Sequence, residues 1–321
     1  MVNQTDYKMQ LSKVNEVYLK LEVDSSLSRE LADYFTFEVP GAKFMPAYRN
    51  RMWDGKIRLF SEQTGKIYVG LLPYIKDYCN KNNVTINIDE GVEDVRDIVH
   101  KSVRDFIGSL RPKSKGKELE IRDYQIDAVY HALRNHRCLL LSPTASGKSL
   151  IIYSLIRYYN LLLKNKKILI LVPTTSLVEQ MYSDFIDYGW KDEYVHRIYS
   201  GHERTTDKPV IVSTWQSLYK MQKKYFDDFG CIIGDEAHLF KAKSLTSILT
   251  KLVDCKYRFG LTGTLDGTQT HRLVLEGLFG SVNKVTSTKE LMDKKTLANL
   301  NIKCIVLKHP QENGKELKGA S

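Results

Sequence analysis

Apolar positions fall in two rhythms along this chain, and the change from one to the other divides it. Near the start, Val17, Leu19, Leu21 and Val23 alternate with Tyr18, Lys20 and Glu22, the period of a half-buried strand. Ser25 and Ser26 are placed to cap a short helix that buries Leu27, Leu31, Tyr34 and Phe35. Asp54-Gly55 signals a turn. After it, Ile57, Leu59 and Phe60 predict a strand with Lys56 and Arg58 on its outer face. A second strand near Ile67–Val69 closes a hairpin through Gly65. Leu71–Cys79 reads as a helix, and Val84, Ile86 and Ile88 as a strand. Val92–Ile107 carries Val95, Ile98, Val99, Val103 and Phe106 at helical spacing. These elements predict a small α/β domain over residues 1–110. Arg111–Lys117, with Pro112, Gly116 and no other apolar residue, is the expected linker.

From residue 118 to 286 the strands are continuous apolar runs: Cys138–Leu141, Ile168–Val172, Val210–Ser213, Cys231–Gly234 and Tyr257–Leu261, with Val195–Tyr199 a shorter candidate. Helical patterns separate several of them, with Ile126, Val129, Tyr130 and Leu133 in one, Leu150–Leu163 in the next and Ser176–Ile186 in a third. Strands without polar alternation are covered on both faces, so the alternation of elements predicts an α/β fold with a doubly wound parallel sheet. Residues 287–321 begin a further unit, in which Ile302–Leu307 reads as a strand.

A length of 321 residues suits two domains and part of a third. The net charge of +10 favours a polyanionic partner such as nucleic acid, although a merely soluble basic protein has the same charge. The five cysteines are scattered and form no C-x-x-C pair, which suggests free thiols in a reducing compartment and no zinc site. No apolar run has membrane-spanning length and the first residues lack a signal-peptide core, so the expectation is a cytoplasmic protein with no membrane partner.

The chemistry concentrates in one stretch. Ser142-Pro143-Thr144-Ala145-Ser146-Gly147-Lys148-Ser149 follows an apolar strand and opens a helix, the context of a phosphate-binding loop. Its backbone N–H groups and the helix N-terminus would cradle phosphates. Lys148 would reach the β- and γ-phosphates, and the Ser149 hydroxyl would hold Mg²⁺. Ser142 stands where the usual pattern has glycine. Downstream, Asp235-Glu236-Ala237-His238 ends another buried strand. Asp235 would complete the Mg²⁺ shell, and Glu236 would orient and deprotonate water. Gln125 lies upstream, and its amide offers an adenine both a donor and an acceptor. Thr262 and Thr264 could sense His238 and relay the nucleotide state. ATP and Mg²⁺ are the implied ligands.

In the N-terminal domain, Lys43–Lys66 holds six basic residues against two acidic ones, with Tyr48 and Trp53 interleaved. Arg49, Arg51, Lys56 and Arg58 would pair with phosphates and Trp53 would stack on bases. A solvated hairpin with Trp53 in the domain core is the other reading.

Taken together, these residues resemble the superfamily 2 helicases, which have a RecA-like motor. Tyr124-Gln125 is similar to the Q motif, Ser142–Ser149 to motif I, Pro173-Thr174-Thr175 to motif Ia and Ser200-Gly201 to motif Ib. Thr214-Trp215-Gln216 resembles motif Ic, Asp235–His238 motif II and Leu261–Thr264 motif III. The run Trp53–Leu59 is similar to a segment of the small N-terminal domain of T-even phage recombination helicases. The resemblance implies an ATP-driven enzyme acting on branched DNA intermediates of recombination and replication, in the host cytoplasm if phage-encoded. It implies nucleic-acid contacts at Thr174, Thr175, Gly201, Thr214, Trp215 and Gln216. It also implies a second RecA-like domain, in cis or in trans, whose arginine fingers do not occur in these residues. The expectation is therefore ATP and DNA binding with little turnover by this chain alone. A non-hydrolysing, nucleotide-dependent DNA-binding module and an RNA helicase fragment are the alternatives.

Overall fold

A computed structural model describes residues 8–201, 203–239, 242–265 and 269–294. Ile302–Leu307 and Cys304 lie outside the described residues. The first domain is a five-stranded sheet with helices on it. Its strands are β1 (Lys8–Lys13), β2 (Tyr18–Glu22), β5 (Phe60–Ser61), β6 (Lys66–Tyr68) and β7 (Thr85–Ile88), in the order β5-β6-β2-β1-β7. Two more strands, β3 (Thr36–Glu38) and β4 (Lys56–Arg58), form a separate antiparallel ribbon. The helices are α1 (Ser25–Tyr34), the single turn α2 (Pro46–Arg49), α3 (Leu72–Lys81) and α4 (His100–Ser109).

Several local expectations change. The strand β1 was not foreseen, although Met9 and Leu11 are fully buried at period-two spacing. The cap of α1 is Asp24, whose carboxylate accepts from Leu27 N at 2.9 Å, so Ser25 and Ser26 fall inside the helix. Tyr34 is on the surface. The hairpin through Gly65 exists, but Phe60–Ser61 supplies its first strand, and Lys56–Arg58 pairs with Thr36–Glu38 instead.

The helix expected over Val92–Ile107 begins only at His100, and Val95 and Val99 are exposed. Tertiary contacts hold residues 92–99 out of a helix. Arg96 N donates to Arg134 O at 2.7 Å, its guanidinium reaches the Tyr158 and Tyr257 hydroxyls, and Asp94 pairs with Lys256. These partners all belong to the second domain. Val103 and Ile107 of α4 are buried in the second domain's core too, so α4 packs with the motor rather than with residues 1–90. The expected linker carries a small hairpin, β8 (Lys113–Ser114) with β9 (Lys117–Glu118), whose turn residue Lys115 donates its N–H to the Asp187 carboxylate.

The second domain contains α5 (Asp123–Asn135), β10 (Arg137–Leu141), α6 (Lys148–Leu162), β11 (Lys167–Val172), α7 (Thr175–Asp187), β12 (Val195–Ile198), β13 (Val210–Thr214), α8 (Trp215–Leu218) and α9 (Lys223–Phe226). It continues with β14 (Phe229–Gly234), α10 (Ala242–Leu249), β15 (Tyr257–Thr262), α11 (Gln269–Phe279), β16 (Val282–Lys284) and α12 (Thr288–Asp293). Seven strands form one sheet, β12-β13-β11-β14-β15-β10-β16, and every pairing in it is parallel. Helices cover both faces. Along β11, Ile168, Ile170 and Val172 enter the core with α5, α6 and α7, while Leu169 and Leu171 enter the core on the opposite face. Full burial on both sides is why the strand reads as unbroken aliphatic sequence. This is the expected RecA-like doubly wound sheet.

The core on that second face is continuous with the core of the first domain. Gly70 sits at the joint: a Cβ there would lie 1.9 Å from Glu276 O of α11. The backbones touch, and only glycine permits it. Nearby, Tyr74 donates its hydroxyl to the buried Glu276 carboxylate at 3.0 Å. Glu16, in the β1–β2 turn, receives Arg137 of β10 on its carboxylate at 3.0 Å. Its own N–H donates to Val253 O at 2.9 Å. The first domain is therefore seated against α11 and the start of β10 in the second domain by a steric fit and a shielded ion pair.

Candidate functional site

In a parallel sheet all strands end on one rim, and an α/β sheet binds ligands there. Here Leu141, Val172, Ile198, Thr214, Gly234 and Thr262 close their strands on that rim. The loop after β10 and the acids after β14 therefore meet.

The loop is clamped from within. Ser142 is fully buried, its N–H donates to Thr262 O at 2.8 Å, and its hydroxyl meets the Ser146 hydroxyl at 2.6 Å. Ser146 Oγ also lies 2.6 Å from Pro143 O. Ser142 is not among the residues with positive φ, so glycine is not needed there and a hydroxyl can tie the loop instead. Positive φ falls at Ala145 and Gly147. At Gly147 a Cβ would lie 2.3 Å from Gln125 Nε2, so the crowding excludes any side chain.

Gln125 differs from expectation. It is buried, its amide nitrogen donates to Ser146 O at 2.9 Å, and its amide oxygen accepts from Arg122 N at 3.0 Å. Tyr124 OH donates to the same Ser146 carbonyl at 3.0 Å. One N–H and the oxygen of the amide are engaged by the chain itself, so in this geometry Gln125 holds the loop after β10.

The acidic side is organised around burial. Lys148 Nζ is 2.7 Å from Glu236 Oε1, and Glu236 has φ +49, a strained value for a residue with a side chain. His238 Nδ1 lies 2.6 Å from Thr262 Oγ1 and 3.5 Å from Glu236 Oε2. Thr262 Oγ1 in turn donates to Thr264 O at 2.8 Å. Thr262 thus meets His238 as expected, whereas Thr264 contributes its carbonyl and its side chain lies outside. Asp235 is buried, and its Oδ1 has no hydrogen-bond partner among the described residues. Burial, then the neighbouring Glu236 charge, push its carboxyl up to about 6 against the pull of Lys148.

Thr144, Gly147, Lys148, Ser149, Asp235 and Glu236 line one cleft of about 280 Å³. The residues fit magnesium by their donor chemistry. A serine hydroxyl and an orphaned buried carboxylate are hard oxygen ligands, and Mg²⁺ is commonly held by one or two such groups together with phosphates and water. Among the described residues no cluster of three or more His, Cys, Asp or Glu is placed to hold a metal by itself.

Sequence reading missed the far wall. Leu177, Met181 and Asp184 of α7 line the cleft, and Tyr188 OH lies 3.0 Å from Ser149 Oγ. Burial raises the Asp184 carboxyl above its usual range. The signal was available: Asp184 and Tyr188 continue the Leu177–Met181 stripe at helical spacing, where a carboxylate is out of place in an otherwise core-facing row.

The expected nucleic-acid contacts divide by exposure. Thr174, Thr175, Gly201 and Gln216 are exposed on the rim. Thr174 caps α7, accepting from Leu177 N, and Gln216 donates to Pro173 O. Thr214 is buried, with its hydroxyl on Ser217, and Trp215 packs against the core beside Tyr219. Of these two, Thr214 is turned inward and Trp215 is half-buried. In the first domain Arg49 and Arg51 are exposed and have no ion-pair partner among the described residues. Arg58 is paired with Asp54. Lys56 is half-buried, and Trp53 is half-buried with its indole N–H on Lys56 O at 2.8 Å. Of the five expected contacts there, two remain fully available.

Comparison with known proteins agrees with this arrangement. The model for the type III restriction enzyme res subunit matches residues 118–267, and the model for the DNA helicase UvsW N-terminal domain matches residues 6–89. The ATP-dependent DNA helicase uvsW of Enterobacteria phage T4 is 36% identical over 309 residues, covering 94% of this chain and 61% of the relative. The DNA 3'-5' translocase XPB2 of Sulfurisphaera tokodaii is 27% identical over 202 residues, covering 63% of this chain and 44% of the relative. The chain thus spans about three fifths or less of the length of these curated relatives. A crystal structure of the UvsW helicase from bacteriophage T4 superposes with a TM-score of 0.79 at 35% identity, covering 86% of this chain and 99% of that one. With this likeness over nearly the whole chain and the helicase-like motifs gathered on one rim, this chain belongs to the UvsW family of superfamily 2 helicases.

Proposed function

We propose that the chain is the ATP-binding part of an ATP-dependent DNA helicase that acts on branched recombination and replication intermediates in the host cytoplasm. The observation that carries this reading is the cleft in which Lys148, Ser149 and Asp235, whose buried Oδ1 has no partner among the described residues, converge. A triphosphate enters with its phosphates against the backbone of 144–148. Lys148 then exchanges the Glu236 carboxylate for phosphate oxygens. Glu236, released, is free to orient and deprotonate water, with His238 and Thr262 registering which partner it has. Ser149 leaves the Tyr188 hydroxyl, and with Asp235 it would hold Mg²⁺, which neutralises triphosphate charge when bound. Thr174, Thr175, Gly201 and Gln216 form a backbone grip for one DNA strand beside the cleft. A second RecA-like lobe, in cis or in trans, closes over it and supplies the missing positive charge.

In the nucleotide-free chain Glu236 is held by Lys148, which favours weak basal turnover. The test is nucleotide binding and DNA-stimulated ATP hydrolysis in the full-length enzyme. Lys148→Ala should lose both, with affinity falling on the order of a hundredfold. Glu236→Gln should keep binding and lose turnover. Retention of hydrolysis by either variant would overturn the assignment.

A further inference from the structure

The most exposed large apolar side chains among the described residues are Phe44 at 77% and Met52 at 74%. They lie eight residues apart in one knuckle, residues 39–55, which is closed by Val39 N donating to Gly55 O at 2.8 Å. A lone exposed apolar residue needs no explanation, but two this bare on one short segment, with Met45 also exposed, do. Neither is packed into the centre of the knuckle. Its interior is filled by Ala42, Gly55 and the Tyr48 ring, and a Cβ at Gly55 would already lie 3.0 Å from Ala42 Cβ and 3.1 Å from Tyr48.

Two neighbouring depressions flank this filled centre, and Lys43, Tyr48 and Asp54 wall both. Phe44 borders one of about 370 Å³ and Met52 the other of about 700 Å³. Arg49 and Arg51 stand over the larger one, and neither they nor Lys43 is ion-paired among the described residues. Unpaired cations around bare apolar tips complement one chemistry above others: a phosphate backbone whose bases have left their stack. Tyr48 and Trp53, the aromatic residues that the sequence offers for stacking, are both half-buried, and the Trp53 N–H is engaged.

We infer that Phe44 and Met52 are base-contacting tips, which cap or part the last base pair at a DNA branch while Lys43, Arg49 and Arg51 hold the adjoining phosphates. This rests on the reading that the chain works on branched DNA, and it adds the residues that distinguish a branch from plain duplex. Apolar wedges of this kind unstack a step and are repaid by the contacts that the opened DNA makes.

The test uses the whole chain, a forked DNA with 2-aminopurine at its first unpaired position, and a matched blunt duplex at several salt concentrations. Joint Phe44→Ser and Met52→Ser replacement changes only exposed side chains, so a thermal melt should be unaltered. Fork affinity should fall about tenfold, the 2-aminopurine signal change should vanish, and duplex affinity should stay within about twofold with the same salt dependence. Unchanged fork binding, or an equal fall for fork and duplex, would overturn the proposal. So would self-association of the wild type that the double variant abolishes, since the tips would then be a protein interface. Joint Arg49→Ala and Arg51→Ala replacement separates the two readings. It should weaken fork and duplex alike and lower the salt slope by about two. If that pair has no effect, this face does not meet DNA at all; if only the Phe44 and Met52 variant is silent, the base contact alone is lost.

Discussion

The motor cleft and the N-terminal knuckle are both rich in charge, but they are built in opposite ways. In the cleft the polar groups are buried or half-buried and tied: Ser142 to Ser146, Gln125 to Ser146, Lys148 to Glu236, His238 to Thr262. One buried oxygen, Asp235 Oδ1, has no hydrogen-bond partner among the described residues. In the knuckle the charged groups are exposed, and the apolar ones are exposed too. The phosphate chemistry we propose needs atoms fixed to within a fraction of an ångström, and the cleft is over-determined. Holding a polymer by its backbone needs only charge at roughly the right separation, so the knuckle is not.

That contrast can be broken by experiment. The largest effect should come from Asp235. Its carboxyl is raised to about 6 in the folded chain, against about 4 unfolded. The folded state then binds more protons between those values. The Asp235 contribution to stability is therefore greatest below about pH 4 and is lost as pH rises through about 6, a loss of about 2–3 kcal/mol. Asp235→Asn should remove this dependence and stabilise the nucleotide-free protein at neutral pH by a similar amount. Urea unfolding of wild type and variant at pH 4 and pH 8 measures it. A site residue whose removal stabilises the fold is a group kept for its ligand; an Asp235→Asn variant less stable than wild type would make Asp235 structural.

A smaller effect is expected at Gln125. Gln125→Ala removes a donor to Ser146 O and an acceptor for Arg122 N, at a cost of about 1–2 kcal/mol. Because the amide acts on the loop, affinities for ATP and GTP should fall together. A selective loss for ATP would return Gln125 to reading adenine. Smaller again is Arg49→Ala, which should weaken DNA binding a few-fold and reduce the salt slope by about one, with nucleotide affinity unchanged.

The same contrast explains what the sequence made legible. The parallel sheet could be read because burial on both faces leaves no polar residue in β11, β13 or β14 except Ser213 and the closing groups at the strand ends. The acids and the phosphate loop could be read because each must end a strand. The role of Gln125 could not, because its partner Ser146 O is a backbone atom of another element. The helix expected over 92–99 failed because Arg96 and Asp94 find partners on the motor, and tertiary contacts override local periodicity. Phe44 and Met52 were invisible for a different reason. Exposure of an apolar side chain is decided by the tertiary space around it, and nothing in local spacing reports that Ala42, Tyr48 and Gly55 pack on one another at the knuckle's centre and leave the tips outside.

The central claim is that Lys148, Ser149 and Asp235 together receive a magnesium-bound triphosphate. Titration of a fluorescent ATP analogue, with magnesium present and then chelated, tests it most directly in the wild type and in Asp235→Asn. The account predicts that chelation weakens wild-type binding at least tenfold and that the variant binds weakly and equally in both conditions. Full magnesium dependence in Asp235→Asn would contradict it.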